Sequence, residues 1–250
     1  MYPILVIDKG NSHFKLTVLR DGEPEAHIHA DSPAAEEMLS LAAKHGCRGA
    51  VYASVSGIDA RLAETLRLAL DGNLIILTRE CRLPISLDYD PESSLGIDRI
   101  AGAAGGNALF PSSPLLLLDA GSALTADIVA GGAFKGGNIS PGLSMRFRAL
   151  AEHTAALPRV HYSVTDPLPD FGKSTQEAIR SGVTLGMVAE ILGWIKMARA
   201  QYPGLKTIIT GGHAPLLLPL LRDAGEDIAH EPLLVAKGLG IIYHYNEKYL

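Results

Sequence analysis

Apolar positions along this chain follow a helical period in some segments and form short continuous runs in others. Helical spacing marks three segments of the first half, 34–45, 58–70 and 97–109. Short apolar runs, typical of buried strands, lie between them at 50–54, 74–77 and 115–118. Because the two patterns alternate, they predict an α/β fold.

The second half continues the alternation, with predicted helices at 143–153, 175–202 and 234–245 and a predicted strand at 207–210. The helix that begins at Thr175 is unusually long, and its apolar positions outnumber what a surface helix needs. These positions are Ile179, Val183, Met187, Ile191, Ile195 and Ala198. The surplus suits either a homodimer interface or a helix at the centre of a core.

Two distant segments share a further pattern, in which an apolar run leads into Asp-x-Gly and a polar residue. The first copy is Asp8-Lys9-Gly10-Asn11-Ser12 and the second is Asp119-Ala120-Gly121-Ser122. An alternating segment follows each turn, so each copy predicts a β-hairpin. The Pro-Ser-rich segment 111–114 precedes the second copy, which predicts two related halves, 1–113 and 114–250.

The chemistry of these turns suits the phosphates of a nucleotide. Glycine lets the backbone approach a ligand closely, Asn or Ser supplies hydrogen-bond donors, and the carboxylate can hold a cation or a metal-bound water. The alternative is two ordinary hairpins on a mixed sheet, since most Asp-x-Gly turns bind nothing.

Composition narrows the class of protein. The 250 residues have a hydrophobic content of 47%, which is enough for a folded core. No signal-peptide pattern opens the sequence, and no apolar run approaches the roughly 18–20 residues that span a bilayer. We therefore expect a cytoplasmic protein. A net charge of -5 without a Lys/Arg block argues against nucleic acid as a partner. Cys47 and Cys81 lack metal or redox spacing, and the nine histidines show no HExxH or paired zinc spacing.

Three other segments carry candidate chemistry. Gly96-Ile97-Asp98-Arg99 opens a predicted helix, where Asp98 can accept a proton and Arg99 can grip a carboxylate or phosphate. Alternatively, Asp98 is only a favourable first-turn carboxylate and Arg99 a solvated surface residue. The glycine-rich segments 136–142 and 211–213 are typical of close backbone approach, and we expect His213 itself to be incidental.

Taken together, these segments resemble the type III pantothenate kinases of the acetate and sugar kinase, Hsp70 and actin superfamily. Segment 8–15 resembles the family's first phosphate motif DxGNTxxK, and 119–127 resembles its second, DxGTAxTxD. Tyr89 and the segment 96–99 resemble the tyrosine and GxDR substrate motif. Segments 136–142 and 175–179 resemble GGxIxPG and the TxxAI helix start.

The resemblance implies a duplicated, two-lobed actin-like (ribonuclease H-like) α/β fold with mixed sheets, and ATP-dependent phosphorylation of pantothenate in coenzyme A synthesis. ATP would lie between the lobes, and magnesium would bridge its phosphates through few direct protein ligands. The active site would lie near a homodimer interface. A related kinase for another small hydroxy acid or sugar, and a non-catalytic accessory protein, are the alternatives.

The same resemblance implies a role for each motif residue. Asp98 would be the proton acceptor, and Asp119 would bind a monovalent cation, potassium or ammonium. ATP would be held by Asp8, Lys9, Gly10, Asn11, Ser12, His13, Phe14, Lys15 and Ser122. Pantothenate would be bound by Tyr89, Gly96, Ile97, Asp98, Arg99 and Thr175.

The chain departs from the family pattern at three positions. Ser12 and Ser122 replace the usual threonines, which keeps the hydroxyl and loses a methyl group that stiffens the rotamer. Lys9 replaces a usual apolar residue. If Lys9 points toward the phosphates, its charge can partly replace the monovalent cation; if it points away, it costs strand packing.

Overall fold

A computed structural model of the chain describes residues 2–10, 13–91 and 94–249. The chain divides into two compact units. The first unit comprises Met1–Pro111, Gly132–Phe134 and Leu234–Leu250, and the second unit comprises Ser112–Gly131 and Lys135–Leu233.

The first unit is built on a five-stranded mixed sheet in the order β3-β2-β1-β4-β5. Its strands are β1 (Ile4–Lys9), β2 (Phe14–Arg20), β3 (Glu23–Ala30), β4 (Gly49–Ser54) and β5 (Leu74–Ile76). The hairpin β1–β2 and the pair β2–β3 are antiparallel, whereas β4 runs parallel to β1 and β5 to β4. The other elements are α1 (Ala35–His45), α2 (Ala60–Ala69), the short strand β6 (Ser86–Leu87) and α3 (Ile97–Leu109).

The second unit repeats this arrangement with the strand order β11-β10-β7-β8-β9. Its strands are β7 (Leu115–Ala120), β8 (Ala123–Ala130), β9 (Ala133–Pro141), β10 (Lys206–Thr210) and β11 (Ile228–His230), and its helices are α4 (Leu143–Glu152), α5 (Thr175–Gln201) and α6 (Ala214–Asp223). The hairpin β7–β8 is antiparallel, and β10 runs parallel to both β7 and β11. The first residues of β9, Ala133 and Phe134, pair with β6 in the first unit.

Both sheets place an antiparallel hairpin beside a parallel strand, so the predicted α/β class with duplicated mixed sheets is confirmed. We call β1–β2 the first hairpin and β7–β8 the second hairpin. In each case the first strand of the hairpin is almost fully buried, because it lies inside the sheet and its residues are nearly all apolar.

The last helix, α7 (Leu234–Asn246), belongs to the first unit, whereas the predicted boundary assigned 114–250 to the second half. The reason is close packing of α7 on α3. A β-carbon at Gly238 would lie 2.6 Å from the carbonyl carbon of Ala101 and 3.0 Å from the backbone nitrogen of Gly105. Two helices approach this closely only where side chains are absent.

The long helix α5 supplies much of the second unit's core. All six apolar positions noted in the sequence, from Ile179 to Ala198, are buried in that core. Their burial accounts for the apolar excess of α5 by packing within the chain, which was the alternative to a homodimer interface. By length and composition alone α5 is long and apolar enough to cross a membrane, although its apolar residues do not form a continuous run. In the structure 44% of that apolar window is buried within the protein.

Candidate active site

The first hairpin brings Asp8 and Lys15 opposite each other. They are register partners on β1 and β2, and the Lys15 Nζ lies 3.8 Å from the Asp8 Oδ2. Between them the backbone N–H of Gly10 donates to the carbonyl oxygen of His13 at 3.0 Å, which closes the turn. Asn11 and Ser12, two of the predicted ATP-binding residues, lie outside the described residues.

Asp8 is a buried carboxylate beside a second carboxylate. Only 8% of the residue is exposed, and burial raises the pKa of the Asp8 carboxyl, an effect that Lys15 opposes and Asp98 strengthens. The influence of Asp98 means that residues from the first hairpin and from the start of α3 share one electrostatic environment. The structure therefore brings together Asp8, Lys15 and Asp98, which the sequence predicted from two separate motifs.

Lys9 lies on the other face of β1 from Asp8, because consecutive residues of a strand point to opposite faces. The Lys9 Nζ donates to the carbonyl oxygen of Gly57 at 3.3 Å and lies 5.7 Å from the centre of the Phe14 ring. His13 is exposed, and its Nδ1 lies 2.7 Å from the Asp31 Oδ1. Asp8 and Lys15 thus lie on one face of the first hairpin, and Lys9 lies on the opposite face.

Arg99 is buried between aromatic rings. It is 7% exposed, and its guanidinium carbon lies 5.7 Å from the ring centre of Tyr89 and 5.4 Å from that of Phe134. The two rings meet edge to face, with their centres 5.7 Å apart. The alternative interpretation of Arg99 as a solvated surface residue is therefore wrong. Phe134 was not predicted, because its position beside Tyr89 depends on the pairing of β6 with β9.

Asp98 lies in the first turn of α3, where its Oδ1 accepts a hydrogen bond from the Arg99 backbone N–H at 2.9 Å. Gly96 caps this helix without a side chain, and a β-carbon there would lie 2.5 Å from the Asp98 Oδ1. A negative charge in the first turn is stabilised by the helix dipole. Asp98 is partly exposed, and its carboxylate is held by the Arg99 backbone, so it is placed to accept a proton from a bound hydroxyl group.

Ile97 lines a cavity of about 500 Å³ in the first unit. Its walls are Leu77, Thr78, Arg79, Cys81, Leu83, Ile85, Leu87, Ile97 and Ile100. None of Tyr89, Asp98 and Arg99 lines it, so the cavity lies outside the cluster of polar groups that the sequence predicted.

The second hairpin is enclosed by two glycine segments. At its turn the Gly121 N–H donates to the Ala123 carbonyl oxygen at 3.0 Å, and the Gly142 N–H donates to the Ser122 carbonyl oxygen at 3.2 Å. Gly211 has a φ of +92°, and a β-carbon there would lie 2.6 Å from the Ala120 carbonyl carbon and against the Asp119 Oδ1. The glycine-rich segments of the sequence thus come together around Asp119 and Ser122.

His213 contacts both the second hairpin and the start of α4, so the expectation that it is incidental was wrong. Its backbone N–H donates to the Ala120 carbonyl oxygen at 2.9 Å, and its Nδ1 lies 3.2 Å from the Gly121 carbonyl oxygen. Because a carbonyl only accepts, Nδ1 carries the proton when that bond forms, and Nε2 then accepts from the Ser144 Oγ at 2.9 Å. Three segments of the second unit are therefore joined through one imidazole ring.

A cavity of about 350 Å³ in the second unit adjoins this ring. Its lining combines apolar walls with two arginines and two histidines: Leu143, Ser144, Phe147, Arg148, Arg159, Val160, His161, Tyr162, His213 and Leu216. A cavity with apolar walls and a few polar groups is typical of small-ligand sites.

Thr175 is the first residue of α5 and is exposed in the second unit. The preceding Ser174 caps the helix by accepting from the Glu177 N–H at 3.2 Å, and the Glu177 Oε2 accepts from the Lys173 N–H at 2.8 Å. The predicted substrate-binding residues therefore lie in both units, since Tyr89, Gly96, Ile97, Asp98 and Arg99 belong to the first.

Metal-binding capacity is limited in the described part of the chain. Among residues 2–10, 13–91 and 94–249, no group of three or more His, Cys, Asp or Glu side chains could hold a metal ion. Cys47 and Cys81 are free thiols, and burial raises the pKa of Cys47 to about 11, so this thiol is a poor ligand or nucleophile at neutral pH. A phosphate-bound magnesium ion with mostly water ligands is compatible with this arrangement.

Comparison with known proteins identifies close relatives. A family profile described as Type III pantothenate kinase matches residues 4–197. The type III pantothenate kinase of Porphyromonas gingivalis (strain ATCC BAA-308 / W83) is 36% identical over 244 residues, which cover 97% of this chain and 98% of that protein. The enzyme of that name from Phocaeicola vulgatus is 36% identical over 245 residues, covering 98% and 99%.

Solved structures with the same fold are more distant in sequence. The activator of 2-hydroxyisocaproyl-CoA dehydratase from Clostridium difficile, with bound ADPNP, aligns with a TM-score of 0.54 at 12% identity, covering 99% of this chain and 96% of that one. Component A of (R)-2-hydroxyglutaryl-CoA dehydratase from Acidaminococcus fermentans aligns with a TM-score of 0.52 at 14% identity, covering 100% and 99%. These likenesses establish the fold alone.

Proposed function

The chain belongs to the type III pantothenate kinase family, and from this premise we propose that it transfers the γ-phosphoryl group of ATP to the primary hydroxyl of pantothenate. This reaction yields 4'-phosphopantothenate and is the first step of coenzyme A biosynthesis. One observation carries the proposal: Asp8, Lys15 and Asp98 form one charged cluster in the first unit, and Arg99 is buried next to Asp98 in the sequence.

Arg99 is the proposed anchor for the pantothenate carboxylate. Its planar fork of N–H donors matches a carboxylate bidentately, and its low exposure strengthens the charge-assisted hydrogen bonds. The Tyr89 and Phe134 rings restrict the guanidinium, whose carbon lies 5.7 and 5.4 Å from their centres, so less conformational freedom is lost when substrate binds.

Asp98 is the proposed proton acceptor for the attacking hydroxyl. Phosphoryl transfer through a loose transition state depends mostly on positioning and charge neutralisation, so this base orients the hydroxyl and takes its proton late. The backbone bond from Arg99 to the Asp98 Oδ1 leaves the other carboxylate oxygen available for that task.

The two hairpins are the proposed phosphate-binding elements. Lys15 supplies positive charge beside Asp8, and Ser122 supplies a hydroxyl donor in the second hairpin. Magnesium, when bound to ATP, neutralises phosphate charge; the carboxylates of Asp8 and Asp98 suit a hard cation, directly or through water. The remaining predicted ATP contacts are Lys9, Gly10, Asn11, Ser12, His13 and Phe14.

The cavity beside His213 is the proposed site of the nucleoside. It adjoins the second hairpin through the bond between His213 and Gly121, and its apolar walls suit a base. Arg148 and Arg159 add positive charge at its lining.

A monovalent cation at Asp119 remains part of the proposal. The sequence offered Lys9 as a charge that could partly replace this cation, but the Lys9 Nζ is hydrogen-bonded to the Gly57 carbonyl oxygen on the face of β1 away from Asp8. We therefore expect higher activity in potassium or ammonium than in sodium or choline buffers at equal ionic strength. Equal rates in all four buffers would remove the cation from the mechanism.

The assembly and location are proposals that rest on the family. We propose a cytoplasmic homodimer to which each copy contributes Thr175, which is exposed at the start of α5. Light scattering after size-exclusion chromatography measures the assembly, and a monomer at all concentrations would contradict it.

The experiment for the reaction is an ADP-release assay with ATP, magnesium and potassium. Pantothenate is compared with other small hydroxy acids and with sugars as acceptors. The proposal predicts ADP release that depends on pantothenate. Release that depends on another acceptor would indicate a related kinase, and no release with any acceptor would indicate an accessory role.

A further inference from the structure

Two histidines of the edge strand β3 face each other beside the first hairpin, on the face that also carries Lys15. His27 and His29 are separated by one residue, so they lie on the same face of the strand. Their Nε2 atoms are 3.1 Å apart, and their rings meet edge to face with centres 4.8 Å apart. Both side chains are exposed to solvent.

The separation of these nitrogen atoms matches that of two ligands on one metal ion. Imidazole nitrogen lies about 2.0–2.1 Å from zinc, so two such ligands at a tetrahedral angle are about 3.3 Å apart. A hydrogen bond between the rings gives a similar distance, so the distance alone does not separate the two cases.

A third residue fixes the His27 ring. The His27 Nδ1 lies 2.8 Å from the Oγ1 of Thr17, which is fully buried and is its register partner on β2. Metal-bound histidines characteristically use their second ring nitrogen in this way, since the outer hydrogen bond sets the tautomer and the ring orientation. With Nδ1 donating to Thr17, the His27 Nε2 has a free lone pair that points toward His29.

The charges beside the pair come from the first hairpin. Lys15, the register partner of His29, opposes a bound cation, but Asp8 lies 3.8 Å from its Nζ and offsets part of that charge.

We propose that His27 and His29 form a two-histidine site for a divalent transition-metal ion such as Zn²⁺, with water at the remaining positions. Imidazole nitrogen selects zinc, copper or nickel over magnesium and potassium, so this site is distinct from the cation sites of the proposed phosphoryl transfer. Among the described residues, no third His, Cys, Asp or Glu joins this pair to form a metal-binding group. A metal ion bound here would therefore exchange readily with the solution. Binding here does not depend on kinase activity.

Isothermal titration of the full chain with ZnCl₂ under reducing conditions tests the site. We expect saturable one-to-one binding that weakens about tenfold or more in His27→Gln and in His29→Gln. Thr17→Val keeps the shape of the buried side chain and removes its hydroxyl, and we expect about tenfold weaker binding from the lost orienting bond. His153→Gln and His230→Gln are matched controls, because both histidines are exposed and lie in the second unit.

Two results would overturn the proposal. One is the absence of saturable zinc binding by the folded wild-type chain, which would leave only a hydrogen bond between the rings. The other is zinc binding that persists unchanged in the His27→Gln/His29→Gln double variant, which would assign the metal to other groups such as the free thiols. Circular dichroism of each variant confirms that the comparison is made between folded proteins.

Discussion

The Nδ1 of His213 lies 3.2 Å from the carbonyl oxygen of Gly121, two residues that are 92 positions apart in the sequence. Through this contact the start of α6 holds the turn of the second hairpin, and through its other nitrogen the same ring holds the Ser144 hydroxyl at the start of α4. The shape of a proposed phosphate-binding turn therefore depends on a residue outside both phosphate motifs.

Substitution of His213 should weaken ATP binding more than pantothenate binding. His213→Asn removes the Nε2 hydrogen bond to Ser144, worth about 0.5–1.5 kcal/mol, whereas its amide N–H still reaches the Gly121 carbonyl, so we expect the KM for ATP to rise by up to about tenfold. The KM for pantothenate should change little. Steady-state kinetics with each substrate varied measures both values, with His153→Asn as the exposed-histidine control. Equal increases in both KM values would show a general loss of structure instead.

Gly211 and Gly212 offer a matched pair for the same region. Gly211→Ala places a methyl group against Asp119 and Ala120 at a φ of +92°, whereas Gly212→Ala meets no atom within 4 Å. A left-handed residue and an overpacked contact each cost about 1–3 kcal/mol, so Gly211→Ala should lower Tm by about 4 °C or more. Gly212→Ala should leave Tm nearly unchanged. Scanning calorimetry compares the two, and equal Tm values would contradict the close approach.

Asp98→Asn should lower kcat by about 100-fold or more and leave the fold intact, because the amide cannot accept the hydroxyl proton. Asp71→Asn is the control, since Asp71 is exposed and its φ of 50° is one that Asn also adopts readily. Turnover at saturating ATP and pantothenate measures the effect, and circular dichroism checks the fold. Wild-type turnover in Asp98→Asn would remove this carboxylate from the mechanism.

Arg99→Lys should raise the KM for pantothenate by about 10–100-fold, the cost of a lost charge-assisted hydrogen bond of about 1.5–3 kcal/mol. Lysine keeps the charge but lacks the planar fork that packs between Tyr89 and Phe134. Arg67→Lys is the control, because Arg67 is exposed and forms an i,i+3 pair with Glu64. An unchanged KM for pantothenate in Arg99→Lys would place the carboxylate elsewhere.

We expect the buried carboxylate of Asp8 to lower the free energy of unfolding at neutral pH. Its carboxyl has a pKa raised above the ordinary value of 3.8 chiefly by burial, so the native state binds the proton more tightly than the unfolded state does. The resulting loss of stability is absent at a pH below the pKa of Asp8 in the unfolded chain. It grows as the pH rises above that value and is complete above the pKa of Asp8 in the folded protein. Asp8→Asn should therefore raise Tm at pH 7, change it little well below pH 3.8, and reduce kinase activity. A lower Tm at pH 7 would mean that the attraction to Lys15 outweighs burial.

The sequence predicted the fold well where apolar spacing is decisive. Both hairpins, α3 and the long helix α5 have the predicted positions within a few residues, because their buried faces repeat along a single element. Helix α6 was not predicted, since Pro215 and Pro219 interrupt its pattern, although the first lies at the permitted N-terminal position. The placement of α7 on α3 depends on contacts between distant glycines, which no local pattern contains.

The candidate site was predicted only in part, for a similar reason. The motifs marked Asp8, Lys15, Asp98 and Arg99, but the aromatic partner Phe134 comes from a strand pairing far from Arg99 in the sequence. The expectation that His213 is incidental was wrong, because its side-chain partners lie 69 and 92 residues away in the sequence. The pair His27 and His29 was overlooked because a spacing of two residues brings side chains together on a strand but not on a helix.

The most direct test of the account is mass spectrometry of the product formed from ATP and pantothenate by the wild-type chain and by Asp98→Asn. The account predicts 4'-phosphopantothenate, phosphorylated at the primary hydroxyl and formed in step with ADP, and a loss of about 100-fold in its rate in the variant. ATP consumption without phosphorylated pantothenate, or equal product from both proteins, would contradict the proposed kinase site.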